Sequence, residues 1–284
     1  MMKSLACLQW IVLLGLQACV NQKNNSQISE RPYKVVKSIH YNGVKVDIII
    51  DKPAGEPTDV LMVYHGTVVA DKKILDATET TLQNFRKILR HKNTTIISVA
   101  YPEEGLLIGD NLPQAEAALL WVKNKANAEL GIPTKKIFLA GHSQGGYLVT
   151  RLNRLHSVNG VIANAPGPLN LAYRCQLEEK RQIKSSAACT LLYNQYGFAS
   201  DNPEPYLDRS LLKFTSGFKS DILFIQGLHD SPVQMYSWQT FKQNLMNCSD
   251  CKETQFFEVK NEGHLALFND NQAIELFNNF LNTR

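Results

Sequence analysis

The sequence predicts an α/β protein with a mostly parallel sheet of about eight strands and helices on both faces. Three observations point to it. From Tyr33 onward, short apolar or β-branched runs alternate with longer stretches of helical periodicity. Several of those runs are apolar throughout, as in strands covered on both faces. The hairpin signal Asn42-Gly43 stands before the alternation begins, so one antiparallel pair precedes strands joined by crossover helices.

In order, Lys34–His40 and Val44–Asp51 are the arms of that hairpin, and Asp59–Tyr64 is a short buried strand. Asp76–Arg90 places Leu82, Phe85, Ile88 and Leu89 at helical spacing. Thr94–Ala100 is β-branched and stops before Pro102. Pro113–Leu130 predicts one helix, with Ala115, Ala118, Leu119 and Val122 on one face and Gly131-Ile132-Pro133 ending it. Lys136–Ala140 is a strand, a helix follows to His156, and Val158–Ala165 is the next strand. Residues 166–216 break the alternation and read as a cap insertion of about 50 residues, because a strand-to-helix connection needs only a few, and the cap is expected to lie over Ser143. The pattern resumes with Asp221–Gln226 (strand), Pro232–Met246 (helix), Thr254–Val259 (strand) and Asn271–Leu281 (helix).

Ahead of this domain (33–284) lie a leader and a polar stretch. Lys3 followed by the apolar run Leu5–Leu16 has signal-peptide proportions, too short for the roughly 20 residues that cross a bilayer. Leu16-Gln17-Ala18-Cys19 resembles a bacterial lipoprotein processing box with Cys19 as the lipid attachment point, Gln17 being a departure from it. A plain secretory signal cut near Ala18 is the alternative. Residues 1–19 are thus a leader, and residues 20–32 are polar, without apolar periodicity, and read as a tether. The expected location is the bacterial cell envelope, lipid-anchored, or else periplasmic or secreted.

Beyond the leader, Cys175, Cys189, Cys248 and Cys251 remain, and four cysteines pair in three ways. Cys175 with Cys189 and Cys248 with Cys251 closes the shortest loops and is preferred. A lone Cys-x-x-Cys lacks the other two ligands of a structural zinc site, and an exported protein favours disulfides. A net charge of +4 without a basic block gives no support to a nucleic-acid partner. No His-Glu-x-x-His or similar spacing marks a metal-dependent hydrolase. The membrane enters only through the anchor, and no protein partner is inferred.

The chemistry converges on Ser143. Gly141-His142-Ser143-Gln144-Gly145 sits between the strand Ile137–Ala140 and a helix. A strand-to-helix turn this sharp strains the serine backbone and brings chain close on both sides, where glycines remove the clashes. A serine hydroxyl needs a base, and the base needs an orienting acid. His264 follows the strand 254–259 and Asp230 follows the strand 221–226, so all three stand at one end of a parallel sheet. Asp230 has a second reading as the cap of the helix at Pro232, and Asp201 and Asp208 are rivals for the acid. Asp221 begins its strand and belongs at the wrong end. The oxyanion hole is assigned to the N–H groups of Gln144 and Thr67, Gly66 permitting the turn of the latter's loop. His65 and His142 are read as structural.

Together, His65-Gly66-Thr67, Gly141-His142-Ser143-Gln144-Gly145-Gly146, Gly227-x-x-Asp230 and Gly263-His264 resemble the α/β-hydrolase superfamily over roughly residues 33–284. Within it the chain is similar to secreted esterases and to the catalytic domains of prolyl oligopeptidase-like proteins. The resemblance implies acyl transfer without metal or organic cofactor, on a small-molecule ester. No β-propeller is read before the catalytic domain, so esters are expected ahead of peptides. A peptidase or amidase acting on short peptides is the alternative. A non-catalytic binding protein would show a broken triad. Tyr173, Tyr193, Tyr196, Phe198 and Tyr206 of the insertion line an acyl pocket or form the insertion's own small core, and the sequence leaves both open.

Overall fold

A computed structural model describes residues 32–55, 59–132 and 134–284. The leader, Cys19 and the tether up to residue 31 lie outside the described residues. The chain opens on β1 (Tyr33–Tyr41) and β2 (Val44–Lys52), an antiparallel hairpin. Asn42 (φ 48°) and Gly43 (φ 81°) both take positive φ, as the tight two-residue turn of a twisted hairpin requires. Then follow β3 (Asp59–Tyr64), α1 (Ile74–Ile88), β4 (Thr94–Ala100), α2 (Leu112–Asn124), α3 (Ala126–Leu130), β5 (Lys136–His142), α4 (Gln144–Leu155) and β6 (Gly160–Asn164). After an insertion containing α5 (Leu171–Glu179), α6 (Ala187–Tyr196) and α7 (Glu204–Leu207), the chain resumes with β7 (Ile222–Gly227), α8 (Pro232–Met246), β8 (Thr254–Val259), α9 (Ala266–Asn269) and α10 (Asn271–Thr283).

The eight strands form one open sheet in the order β1-β2-β4-β3-β5-β6-β7-β8. Hydrogen-bonded pairs from β4 through β8 are parallel, and β2 meets β4 antiparallel. Successive side chains of β3 fall to opposite faces. Val60, Met62 and Tyr64 join one core with Ala118 of α2, Leu148 of α4 and Trp238 of α8. Leu61 and Val63 join the other with Phe85 of α1 and Phe277 of α10. Helices therefore cover both faces, and no helix among the described residues is long and apolar enough to cross a membrane.

The expected single helix over Pro113–Leu130 is two. Lys125 leaves helical geometry (φ −129°, ψ −30°), and the chain restarts as α3. The break turns Glu129 back, so that its carboxylate accepts the Trp121 indole N–H at 3.2 Å and pairs with Lys37. Gly131, left-handed at φ 59°, closes α3.

The insertion is largely helical. Asn170 and Ser186 cap α5 and α6 with their side chains, and the Cys175–Cys189 disulfide joins those helices. The other disulfide is Cys248–Cys251, between α8 and β8. The buried Tyr206 donates its hydroxyl to the Gly197 carbonyl at 2.6 Å, and Tyr193 lies against Phe198, so these three aromatics serve the insertion itself. Tyr196 lines a cavity with Arg151, two turns along α4 from Ser143. Tyr173 instead stacks on Tyr236 of α8, centroids 3.8 Å apart.

Candidate active site

The end of β5 fixes Ser143. Ser143 has φ 56° and ψ −119°, a conformation that a non-glycine residue adopts only under constraint. The surroundings supply it: a Cβ at Gly141 would lie 2.1 Å from the Gly145 carbonyl oxygen, and one at Gly145 2.0 Å from that of Tyr64. Only glycine fits either position, which explains the motif physically. The Ser143 N–H donates to the Asn164 carbonyl at 3.0 Å, and the Ser143 carbonyl accepts from Gly167 N–H at 3.1 Å. Ser143 thus stands at the head of α4, where the free N–H groups and the helix dipole favour an anion.

The structure brings His264 and Asp230 together. His264 Nδ1–H donates to Asp230 Oδ2 at 2.7 Å, which leaves the Nε2 lone pair free. The Asp230 side chain is 4% exposed and that of His264 44%, so a buried carboxylate holds an accessible imidazole. Asp230 also accepts from Gln226 Nε2 at 3.0 Å and from the Ser231 N–H at 2.6 Å. Burial alone would raise its pKa, yet the hydrogen bonds and charge of His264, with those two further donors, hold it below the ordinary carboxylate value. The helix cap is Ser231, whose hydroxyl accepts from Gln234 N–H, so Asp230 is not spent on capping. Of the rival acids, Asp208 pairs with Lys213 within the insertion and Asp201 is exposed in a turn. Asp221 binds Arg284 at the opposite end of β7. Among the described residues no hydrogen bond joins the Ser143 hydroxyl to the His264 ring; such contacts are often long without substrate.

Sequence reasoning missed Asn164. Fully buried at the end of β6, it donates from Nδ2 to His142 Nδ1 at 2.9 Å and to the His264 carbonyl at 3.4 Å. Its Oδ1 accepts from the Leu267 N–H at 3.2 Å. One side chain therefore fastens the loop of the base to the strand whose carbonyl holds the nucleophile. Gln226 and Gln234 were missed as well: Gln234 Nε2 donates to Gln226 Oε1 at 3.1 Å and to the Pro166 carbonyl at 2.9 Å. The only sequence signal for them is an amide at the end of an apolar strand or in the first turn of a helix.

On the oxyanion side, the β3–α1 loop lies against the nucleophile: a Cβ at Gly66 would be 3.4 Å from Ser143 Cβ. Thr67 Oγ1 donates to Gln144 Oε1 at 2.8 Å, linking the two residues assigned to the hole. Gln144 begins α4, so its N–H has no acceptor within the helix. No hydrogen bond to the Thr67 N–H is found among the described residues. His65 and His142, the two histidines beside these motifs, are held by other contacts. His65 Nδ1 donates to the Gly66 carbonyl at 2.7 Å, and burial lowers its pKa to about 4 against that bond. His142 packs its ring edge-on to His264 at 4.8 Å, and burial, then the neighbouring His264, lower its pKa to about 4.

Residues 118–282 match the prolyl oligopeptidase family. No curated protein sequence matches the chain. Among solved structures, the acylaminoacyl peptidase of Pyrococcus horikoshii superposes with a TM-score of 0.62 at 17% identity, over 89% of this chain and 42% of that one. The present chain thus spans less than half of that peptidase. An esterase of Rhizomucor miehei gives 0.66 at 16% identity, over 89% of this chain and 84% of that one. The Pyrobaculum calidifontis esterase gives 0.62 at 17%, over 88% and 84%. At such identities the likeness is one of fold, that of the α/β-hydrolases.

Proposed function

We propose, from the premise that the chain belongs to the prolyl oligopeptidase family, that this serine hydrolase cleaves carboxylic esters of small or medium size. The observation that carries the reading is the buried Asp230 bonded at 2.7 Å to His264, at the same end of the sheet as the strained Ser143. With Nδ1–H committed to Asp230, Nε2 takes the Ser143 proton as the hydroxyl attacks the ester carbonyl. The tetrahedral oxygen rests on the Thr67 and Gln144 N–H groups. The imidazolium then protonates the leaving alcohol. Water, deprotonated by Nε2, releases the acid and restores the serine. The fold shared with the esterases of Rhizomucor miehei and Pyrobaculum calidifontis supports an ester as the substrate. The family match favours short peptides as the second substrate class.

A series of p-nitrophenyl esters of graded acyl length, with Ser143→Ala beside the wild type, tests the reading. Turnover that disappears in the variant supports it. Cleavage of short peptides with no ester turnover would replace it by the peptidase reading. A folded protein that neither turns over nor reacts with a fluorophosphonate at Ser143 would exclude catalysis. The same proposal places the protein in the cell envelope, anchored through Cys19, on the support of Lys3, the apolar Leu5–Leu16 and the two disulfides. Palmitate labelling retained by Cys19→Ala would refute the anchor.

A further inference from the structure

The loop that carries Thr67 is held from behind by an acid. Glu103, three residues past β4, is 9% exposed, and its Oε2 accepts the N–H of Val68, the neighbour of Thr67. The loop is tied to the same stretch twice more. Asp71 Oδ1 accepts the backbone N–H groups of Glu103 (3.0 Å) and Glu104 (2.9 Å), while Asp71 N–H donates to Glu104 Oε2 at 2.9 Å. The Tyr101 hydroxyl donates to the His65 carbonyl, and the two rings stack at 3.9 Å. Residues 65, 68 and 71 are thereby pinned to 101, 103 and 104.

The surroundings of Glu103 suit a neutral carboxyl. Its Oε1 is buried without a hydrogen-bond partner, and no cation pairs with it among the described residues. The titratable groups packed around it are Asp71 from the loop and Tyr101 from the end of β4, with the buried, neutral His65 beyond. Burial, with Asp71 adding to it against the Val68 N–H, raises the carboxyl to about 8.

We propose that Glu103 is a positioning residue for this hydrolysis: a neutral buried carboxyl that aims the Thr67 amide at the nucleophile without opposing the negative charge formed there. The proposal rests on the reading of Thr67 N–H as an oxyanion donor. Neutrality matters because a carboxylate at this place would repel the developing oxyanion across a poorly screened interior. A merely structural acid would affect folding and leave the pH profile of turnover unmoved.

The test is kcat and KM for p-nitrophenyl acetate as a function of pH, in the wild type, Glu103→Gln and Glu103→Ala. In the wild type kcat falls as pH rises through about 8, where Glu103 ionises. Glu103→Gln keeps an acceptor for Val68 N–H but cannot ionise, so it retains neutral-pH kcat within about threefold and loses the alkaline fall. Glu103→Ala frees the loop and lowers kcat about tenfold or more, with KM little changed. A wild-type profile without an alkaline fall, the same fall in Glu103→Gln, or an undiminished kcat in Glu103→Ala overturns the proposal. If Glu103→Ala fails to fold, the Glu103→Gln profile decides alone. Thr67→Pro, which deletes the amide hydrogen, addresses the underlying reading: full kcat there removes the oxyanion assignment, an outcome separate from any result at position 103.

Discussion

The Asn164 carbonyl accepts the Ser143 N–H at 3.0 Å, while the Asn164 side chain donates to the His264 carbonyl. The end of β6 is therefore the common reference for Ser143 and for the loop of His264. Asn164→Ala removes the side-chain half of that arrangement and leaves the Leu267 N–H and His142 Nδ1 without a partner. Leaving such groups buried and unpaired costs about 1–3 kcal/mol, so the variant unfolds at lower urea. Its kcat falls about tenfold to a hundredfold, because the base loses its fixed approach. Urea midpoints and steady-state kinetics on one preparation check both; wild-type kcat would remove Asn164 from the account.

Asp230→Asn keeps the shape of the acid but no longer requires the proton on His264 Nδ1. Turnover should drop about a thousandfold or more, the size of loss expected when the orienting carboxylate of such a triad is replaced. The ester series reads it directly. A loss below tenfold would show that another group orients His264.

Ser143→Gly tests the strain at the elbow. Glycine adopts φ 56° without the penalty of a Cβ, so the variant should be inactive yet more stable than wild type by about 1 kcal/mol. Thermal unfolding of Ser143→Gly and Ser143→Ala side by side separates relief of strain from loss of the hydroxyl. Equal melting temperatures would mean the backbone is not strained there.

The buried histidines give stability a defined acid limb. For His65 the unfolded chain binds a proton from 6.5 downward, but the folded protein only from about 4. Stability therefore falls as pH falls through that window, by on the order of 3 kcal/mol at its lower end. His142 has the same sign over the same window. The Asp230 contribution, with its depressed pKa, is lost only as pH falls further, through the folded value. His142→Asn retains an acceptor for Asn164 Nδ2 and should make the loss between pH 6.5 and 4.5 shallower. Urea titrations at several pH values decide it, an unchanged slope counting against His142.

The Cys175–Cys189 bridge closes a loop across 14 residues between α5 and α6. Replacing both with serine should destabilise the insertion by up to about 3 kcal/mol. Differential scanning calorimetry would register this, and hydrogen exchange would place the loss in the insertion rather than in the sheet.

Much of this was legible beforehand because the sheet is buried on both faces. Strands such as Asp59–Tyr64, Thr94–Ala100 and Thr254–Val259 read off the sequence with the bounds found in the structure. The places of Ser143, Asp230 and His264 beyond the ends of such strands were legible too, each as a polar or glycine-flanked residue. The break at Lys125 was not, because its cause lies in Glu129 reaching Trp121 and Lys37 rather than in a local breaker. Asn164, Gln234 and Glu103 were invisible for the same reason. Asn164 meets its partners 100 and 103 residues away, and Glu103 meets Val68 35 residues back. No periodicity records contacts of that range.

Gln234 grips both the Pro166 carbonyl and Gln226, and Gln226 in turn grips Asp230. The root of the insertion and Asp230 consequently share one fastening, with Gly167 N–H held by the Ser143 carbonyl beside it. At its far end, the insertion returns through Lys219 and Ser220, which are held by Asn153. For protein engineering this sets splice points. A foreign segment transplanted between Pro168 and Lys219 keeps the Pro166 carbonyl that Gln234 holds, whereas a graft begun at Ala165 replaces it.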